Sequence, residues 1–300
     1  MKKLIVEREN SNQRLDKFLM KFLNATTKSF IYKMLRKKNI KLNDKAANGN
    51  EILNPDDKIF LYLSDETINK FQKKICKIKS TKPLKILYED QNILICEKPS
   101  GILSQPQNKF DNDTLLNRLY NLYGDNIWIC NRLDRNTSGL IICAKNFLAL
   151  QKMNSDIARN LLGKYYLTIV KGKINKLGQI ESYITKNNLT NKSEINQNGI
   201  GKKILTQYKP IEYTDKFTLL EIKLITGKSH QIRAHLQSIN HPIIGDTKYG
   251  DPKTNLFFKQ KFNLHYQLLH AYKIKFNGLE VNCPPPSMFL DIKNFLFHKK

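Results

Sequence analysis

The sequence predicts an α+β protein, and two features of its patterning support that fold class. In some segments apolar residues recur at helical spacing, while others are short apolar runs bounded by turn residues. These helix-like and strand-like segments follow one another without the regular βαβ alternation of a doubly wound fold. With 300 residues, 40% of them hydrophobic, the chain can form one large core and a small accessory domain.

Residues 1–70 are expected to form the smaller domain. Two amphipathic helices are predicted there, followed by strand-like runs at 40–42 and 58–63. The segment 71–82 is basic, has no clear period and ends before Pro83, so we interpret it as a linker. The apolar positions of the two helices are Leu15, Phe18, Leu19 and Phe22, then Phe30, Ile31, Met34 and Leu35.

Residues 83–300 are expected to form the larger domain. Asp113 is the predicted N-cap of one helix and Ser229 of another, because short polar side chains accept hydrogen bonds from the first helical N–H groups. The predicted strands are 86–88, 93–96, 140–144, 165–170, 204–213, 218–225 and 268–276. The predicted helices are 114–123, 147–162, 230–238 and 287–297.

The chain is strongly basic. Lysine and arginine number 51 against 26 aspartates and glutamates, which gives a formal net charge of +25. Residues 1–80 carry a net charge of +10 and the remainder +15, so the charge is not confined to a basic tail. Such a surface attracts polyanions, and both domains could contact the same nucleic acid. The alternative is an ordinary solvated surface in a lysine-rich protein.

Cysteine usage and hydropathy indicate a cytoplasmic protein. The five cysteines are scattered and form no C-x-x-C pair, as expected of a reduced protein without structural zinc. The first residues contain too short an apolar run for a signal peptide, and no run approaches the ~18 apolar residues of a membrane span.

Two apparent ligand motifs fail on spacing. Gly227-Lys228-Ser229 looks like the end of a phosphate-binding loop, but position 222 is Ile where that motif needs Gly. Four histidines could be imagined around a metal ion, yet no metal-ligand spacing relates them, so core or RNA-facing roles are favoured. They are His230, His235, His241 and His270. No metal site is predicted.

Asp134 is the most informative single residue. It lies between Arg132 and Arg135, just before the apolar run 140–144. A neighbouring guanidinium keeps a carboxylate ionised even in a partly dry pocket, and an ionised carboxylate can act as a nucleophile. From the residues alone, a surface loop with ordinary ion pairs remains an open alternative.

The stretch Asn131-Arg132-Leu133-Asp134-Arg135-Asn136-Thr137-Ser138-Gly139-Leu140 resembles the H-R-L-D-R-x-T-S-G-L signature of the RluA-type pseudouridine synthases. Further blocks are similar to motifs of the same family and occur in the same order, so the resemblance spans nearly all of the larger domain. These blocks are 94–101 with its K-P-x-G turn, 164–172, 226–235 with T-G-K-S-H-Q-I-R-A-H, 241–246, 249–250 and 269–271.

The resemblance implies a mixed, largely antiparallel sheet and the isomerisation of uridine in RNA without a cofactor. It implies that Asp134 is the catalytic nucleophile and that Arg233 pairs with it. By the same transfer Tyr166 packs on the uracil and could take the C5 proton, while Leu269 forms an apolar wall beneath the base. Arg132 would fill the gap left by the extruded nucleotide.

The first 70 residues resemble an S4-type RNA-binding domain through the R-L-D-x-F-L opening and the basic second helix. Family members with that domain, the RluC/RluD-like subgroup, mostly act on large-subunit ribosomal RNA, which is therefore the expected partner of a monomeric enzyme. The RNA-contacting candidates are Arg14, Lys33, Arg36, Lys37 and Lys38. A solvated charged helix face is the alternative reading of the last four.

Three residues depart from the family pattern: Asn131 stands for His, Lys228 for Arg and Thr168 for Ala. Asn131 leaves any role of that His in doubt, and Lys228 cannot make a bidentate phosphate contact. Two other functions stay open. One is an inactive RNA-binding assembly factor; the other is a nucleic-acid glycosidase or nuclease, although a hydrolytic glycosidase usually needs two carboxylates flanking the bond.

Overall fold

The computed structural model describes residues 1–72, 83–107, 111–187 and 192–298. Most of the expected linker 71–82, together with Cys76, lies outside the described residues. The described chain divides into two compact units. Unit 1 contains the residues up to 72 together with 146–148, and unit 2 contains the others.

Unit 1 consists of a four-stranded antiparallel sheet and three helices. Thr27 caps the second helix, since its Oγ1 accepts a hydrogen bond from the Phe30 amide (3.2 Å). The predicted apolar stripes of both helices pack into one core with the sheet. The elements are β1 (Lys2–Ile5), α1 (Leu15–Phe22), α2 (Lys28–Arg36), β2 (Ile40–Leu42), β3 (Lys45–Ala46), β4 (Lys58–Leu61) and α3 (Asp65–Phe71), with sheet order β1-β4-β2-β3.

Unit 2 is built around one large sheet with helices on both faces. Its first elements are β5 (Ile86–Glu89), β6 (Ile93–Lys98), α4 (Leu115–Tyr123), β7 (Trp128–Ile129), β8 (Ser138–Ala144), α5 (Phe147–Ala158, in this unit from residue 149), β9 (Gly163–Lys171) and β10 (Gly178–Asn187). Then follow β11 (Lys192–Asn196), β12 (Lys202–Tyr213), β13 (Phe217–Leu224), α6 (Gln231–Ser238), α7 (Pro252–Phe262), β14 (Leu269–Phe276), β15 (Leu279–Asn282) and α8 (Ser287–Phe297).

The large sheet has eleven strands within the described residues. Its order is β11-β10-β12-β13-β9-β14-β8-β6-β5, with β7 added to β8 and β15 to β14. The β8–β14 pair is parallel, and the other pairs are antiparallel. The expectation of an α+β fold with a mixed, largely antiparallel sheet is therefore confirmed.

Strand β8 shows how the sheet separates two cores. Ile141 and Cys143 pack on one face with α4 and α6, whereas Leu140 and Ile142 pack on the other with α5. Successive side chains of a strand point to opposite faces, so a strand buried on both sides reads as a continuous apolar run. This explains why 140–144 was readily predicted.

Both predicted caps in the larger domain are wrong. The N-cap of α4 is Thr114, whose Oγ1 accepts from the Asn117 amide (3.2 Å), while Asp113 instead pairs with Arg118 (2.7 Å). At α6 the N-cap is His230 in the left-handed conformation (φ 59°), with no side-chain cap, so Ser229 does not serve. Each predicted cap lies one residue before the observed one, and assigned helix boundaries commonly differ by one or two residues.

Helix α5 ends at Ala158 rather than at residue 162 as expected. Asn160 follows in the left-handed conformation (φ 57°), which asparagine adopts more readily than most residues and which a helix cannot continue through. Gly163, the residue after the expected end of the helix, begins β9.

Gly139 lies where the two central parallel strands meet, five residues after Asp134. Its φ is +114°, and a Cβ at this position would lie 2.3 Å from the carbonyl oxygen of Ala271 on β14. Only glycine combines that backbone conformation with so close an approach. Replacing it must push β14 away from β8.

We expect Gly139→Ala to lower the free energy of unfolding of unit 2 by about 2 kcal/mol or more, since it adds backbone strain to a steric clash. This corresponds to a fall of about 4–8 °C in the melting temperature. The fluorescence of Trp128, the single tryptophan and a residue of β7 beside β8, reports this unfolding.

Gly124→Ala is the matched control, because Gly124 also has a positive φ (71°) but nothing lies within 4 Å of the added Cβ. Its effect should be smaller, about 1 kcal/mol. Equal losses in the two variants would contradict the steric argument.

Candidate active site

The loop before β8 presents Asp134 with its side chain 25% exposed. Ser104 holds the preceding residue from both sides: its Oγ donates to the Leu133 carbonyl (2.9 Å) and accepts from the Leu133 amide (3.1 Å). A turn closes on the other side, where the Thr137 amide donates to the Asp134 carbonyl (3.1 Å). The backbone carrying the carboxylate is thus fixed on both sides.

Asn131, which stands where the family usually has His, has a structural contact. Its Oδ1 accepts a hydrogen bond from the Ile142 amide (2.8 Å) and so ties the start of the loop to β8. This hydrogen bond of the Asn131 side chain does not involve Asp134.

Lys98 provides a second support for the loop. The residue is fully buried, and its Nζ donates to the carbonyls of Pro99 (2.8 Å), Ile102 (2.9 Å) and Arg135 (3.0 Å). Burial lowers the pKa of Lys98 to about 7, and the charge of Asp134 opposes this shift. The K-P-x-G turn is visible in the sequence, but the sequence analysis predicts no role for its lysine. The feature that could have indicated a buried role is a lysine at the end of an apolar strand.

Arg233 on α6 makes the central contact of the site. Its Nη1 donates to Asp134 Oδ2 (2.9 Å), while its Nε and Nη2 form a fork on the two oxygens of Asp246 (2.6 and 2.8 Å). The Arg233 side chain is only 6% exposed. Burial acts to lower its pKa, but the hydrogen bonds and charges of Asp246 and Asp134 outweigh burial and hold the pKa above its ordinary value.

Asp246 was not among the predicted site residues. Its carboxylate is completely buried. Burial alone would raise the pKa of Asp246, but the hydrogen bond and charge of Arg233 outweigh this and lower it. The feature that could have indicated it is its place in the H-P-I-I-G-D block. The sequence analysis matches that block to the family but predicts no role for its aspartate.

His230 and Tyr249 complete the surroundings of the guanidinium. His230 Nε2 lies 4.0 Å from Asp134 Oδ2, and its Nδ1 lies 3.1 Å from the Tyr249 hydroxyl. The Tyr249 ring packs over Arg233, with 5.0 Å between the ring centroid and Cζ. Burial lowers the pKa of His230, although Asp134 opposes the shift, so the imidazole is neutral at pH 7.

Tyr166 and Leu269 lie in the same buried cluster, on the face of the sheet that α6 covers. Burial raises the pKa of Tyr166, and the charge of Asp134 raises it further. The phenol is therefore neutral at pH 7, which favours the packing part of its expected role over proton removal. Leu269 lies on β14, where the neighbouring Ala271 is paired in register with Tyr166.

The two arginines that flank Asp134 in sequence do not pair with it. Arg132 is exposed, and Arg135 lies 3.8 Å from Asp111 instead. Among the described residues, the ion-pair partners of Asp134 are Arg233 and, at the distance limit, His230. The arginines that adjoin Asp134 in sequence therefore do not supply its guanidinium contact, which comes from Arg233.

In unit 1, the four basic candidates at the end of α2 are all exposed: Lys33, Arg36, Lys37 and Lys38. Arg14 behaves differently. It makes a fork on the buried carboxylate of Asp16 (3.0 Å for both contacts) and also hydrogen-bonds Asn50, yet 38% of its side chain remains exposed. The guanidinium therefore both orders the start of α1 and remains partly accessible.

The four histidines considered as metal ligands have other partners. His270 lies between Ser138 and the Cys283 carbonyl, and His241 contacts the Lys171 carbonyl. Across 1–72, 83–107, 111–187 and 192–298, no group of three or more His, Cys, Asp or Glu residues could hold a metal ion. The helices of these segments include none that is both long and apolar enough to cross a bilayer.

The chain is similar to known RNA pseudouridine synthases. A family model described as RNA pseudouridylate synthase matches residues 92–238. An uncharacterized RNA pseudouridine synthase of Mycoplasma genitalium is 33% identical over 93% of this chain and 90% of its own length. The ribosomal large subunit pseudouridine synthase C of Buchnera aphidicola is 34% identical over 89% of this chain and 87% of its own.

The fold is similar to that of a solved structure. The solved structure of human RNA pseudouridylate synthase domain containing 1 covers 70% of this chain and 86% of its own, with a TM-score of 0.58 and 24% identity.

His235 fastens α6, and with it Arg233, to the sheet. Its two ring nitrogens lie 2.8 Å from Ser182 Oγ on β10 and 2.8 Å from Thr206 Oγ1 on β12. The ring is completely buried, and burial lowers its pKa from 6.5 to about 4.

We expect His235 to make the protein less stable in mild acid. Between about pH 6.5 and 4 the unfolded chain binds a proton at this residue and the folded chain does not. The contribution of neutral His235 to the free energy of unfolding is therefore fully present above pH 6.5 and is lost as the pH falls towards 4. Between pH 7.5 and 5 the loss is about 2 kcal/mol.

His235→Gln should reduce the acid-induced loss by that amount when denaturant unfolding is followed at both pH values. His265→Gln, at an exposed position, is the control and should leave the difference unchanged. An unaltered pH dependence in His235→Gln would refute the assignment.

Proposed function

Because the chain belongs to the RluA-type family of RNA pseudouridine synthases, we propose that it isomerises specific uridines of large-subunit ribosomal RNA, with Asp134 as nucleophile and no cofactor. Pseudouridine synthase activity on RNA follows from the family. The large-subunit substrate is supported by the relative named for that activity, which aligns over 89% of this chain.

The contact between Asp134 and Arg233 is the observation that carries the catalytic part of the proposal. A carboxylate 25% exposed to solvent is accessible to a substrate, and the 2.9 Å contact with a buried guanidinium holds it in one orientation. The two residues are far apart in sequence, so the fold alone brings them together.

The proposed reaction conserves all atoms. The N1–C1′ glycosidic bond breaks, the uracil turns, C5 forms the new bond to C1′, and the proton lost from C5 is balanced by one gained at N1. Asp134 engages the nucleotide to release the base. There is no net oxidation or hydrolysis, so the chemistry requires neither a redox cofactor nor a metal-activated water.

A uridine in folded RNA has to leave its stack to reach Asp134, which costs a few kcal/mol. Tyr166 and Leu269 would pack on the extruded base, since both lie in the apolar cluster on the α6 face of the sheet. Arg132 is exposed and could occupy the position that the base vacates. Phosphate contacts made by the basic surface would offset the cost of extrusion.

Asp134→Asn is expected to abolish pseudouridine formation while leaving RNA affinity within about threefold of the wild type, because the amide is similar in shape but is not a nucleophile. Carbodiimide mapping of RNA from cells lacking the gene, complemented with either form, measures this directly. One or a few large-subunit sites should disappear and be restored by the wild type alone.

Asp215→Asn is a suitable control, since Asp215 is a 90% exposed carboxylate paired with Lys173 at the surface. Restoration of the sites by Asp134→Asn would overturn the catalytic assignment. Loss confined to transfer RNA would keep the activity and overturn the proposed substrate. Release of free uracil would indicate a glycosidase, and an unchanged modification map would favour an assembly factor that only binds RNA.

Unit 1 is proposed to act as an S4-like RNA-binding domain spanning residues 1–70, joined by a linker at 71–82 to the catalytic domain at 83–300. Its candidate contacts are Arg14 and the cluster of Lys33, Arg36, Lys37 and Lys38, which is exposed at the end of α2. A ribosomal substrate implies that the protein acts in the cytoplasm, and we propose that it does so as a monomer.

Replacing the four cluster residues by glutamine should weaken RNA binding and reduce its salt dependence. Each lost phosphate contact lowers the slope of log K against log salt by about 0.7–0.9, so the full set predicts a change of about 3. Binding to a large-subunit RNA fragment at several salt concentrations measures the slope.

Glutamine at four other exposed lysines of unit 1 provides a charge-matched control: Lys3, Lys45, Lys58 and Lys70. If the two quadruple variants lose the same slope, binding depends on overall charge and not on the α2 cluster.

A further inference from the structure

We propose that Asp246 is a positioning residue for catalysis: by holding Arg233 in a fork, it limits Arg233 to a single hydrogen bond with Asp134. This inference rests on the proposed role of Asp134 as nucleophile. Asp246 itself is completely buried and is not expected to touch the substrate.

The geometry of the guanidinium supports this assignment. An arginine can bind a carboxylate through a fork of two parallel N–H groups, from Nε and one Nη or from both Nη atoms. In this protein Asp246 receives that fork, from Nε (2.6 Å) and Nη2 (2.8 Å) of Arg233. Asp134 receives one contact, from Nη1 (2.9 Å) to Oδ2. One oxygen of Asp134 is therefore not used by Arg233.

The formal charges of the three side chains also support a positioning role for Asp246. Asp134, Arg233 and Asp246 together carry a net charge of −1, so one positive charge is shared between two carboxylates. Without Asp246, the buried Arg233 would have Asp134 as its counter-ion, and a fork on Asp134 would neutralise the proposed nucleophile. His230 does not supply a compensating positive charge, since burial lowers its pKa and leaves it neutral at pH 7.

Asp246 is itself held in place by its own turn. Its Oδ1 accepts the backbone N–H groups of Lys248 (2.9 Å) and Tyr249 (3.0 Å). The side chain of Asn255 on α7 binds the backbone on both sides of Asp246. Its Nδ2 donates to the Asp246 carbonyl (2.8 Å), and its Oδ1 accepts from the Gly245 amide (2.7 Å). The carboxylate that holds Arg233 thus belongs to a turn that is itself fixed by four hydrogen bonds.

Asp246→Asn tests the proposal at a single atom. The Asn oxygen can still accept the two backbone N–H groups, but its NH₂ group faces an N–H of Arg233, so the fork is lost while the turn is kept. With enzyme in excess over RNA, we expect the single-turnover rate constant at saturation to fall by about 10². The Kd for RNA should stay within about threefold of the wild type.

The rate constant at saturation separates positioning from a merely structural role. Partly unfolded enzyme would change the active fraction, and so the amount of enzyme needed for saturation, but not the rate constant that is reached. Asp251→Asn is the matched control in the next turn: Asp251 caps α7 by accepting from the Thr254 amide (2.8 Å), and asparagine caps as well as aspartate. It should keep the wild-type rate.

If Asp246→Asn does not fold, Asn255→Ala decides the question, since it loosens the turn without removing a buried charge. It should lower the rate constant by about threefold to tenfold. A wild-type rate in Asp246→Asn, or in Asn255→Ala where Asp246→Asn does not fold, would overturn the proposal. So would a loss that appears entirely in RNA affinity. An inactive wild-type protein would instead refute the proposed function.

Discussion

Unit 2 depends on one buried cation, the guanidinium of Arg233. A charge removed from water to this degree is tolerated only when paired and fully hydrogen-bonded, and here two carboxylates from different loops meet that requirement. The same contacts fix the loop before β8, helix α6 and the turn before α7 relative to one another. Stability and active-site geometry therefore have a common origin.

The sheet brings these loops together. Strands β8 and β14 run parallel in an otherwise antiparallel sheet, so the loop preceding β8 and the segment preceding β14 reach the same edge. Asp134 precedes β8, and Leu269 begins β14. Gly139 allows the strands to approach closely enough for this arrangement. An unusual strand pair at the centre of the sheet thus places the loop that carries Asp134 beside the start of β14.

Local patterns in the sequence were enough to predict the elements that bury apolar faces, such as α8 at 287–297, which the structure reproduces. They did not reveal β11 or α7, whose residues are largely polar or exposed and give little periodic signal. Local patterns also did not predict which charged side chains pair. Arg132 and Arg135 adjoin Asp134 in sequence, but Arg233 pairs with it. That contact was expected only through family resemblance, and nothing predicted the fork on Asp246.

The protonation states around Asp134 bear on how the C5 proton leaves. Tyr166, an expected acceptor, is a neutral phenol whose pKa burial and Asp134 both raise, so it would have to lose its own proton first. His230 is neutral because burial lowers its pKa, and its Nε2 lies 4.0 Å from Asp134. Of these two groups, the imidazole therefore has a proton-accepting nitrogen at neutral pH. In the proposed reaction, these protonation states favour Tyr166 as a packing surface and not as the group that takes the C5 proton.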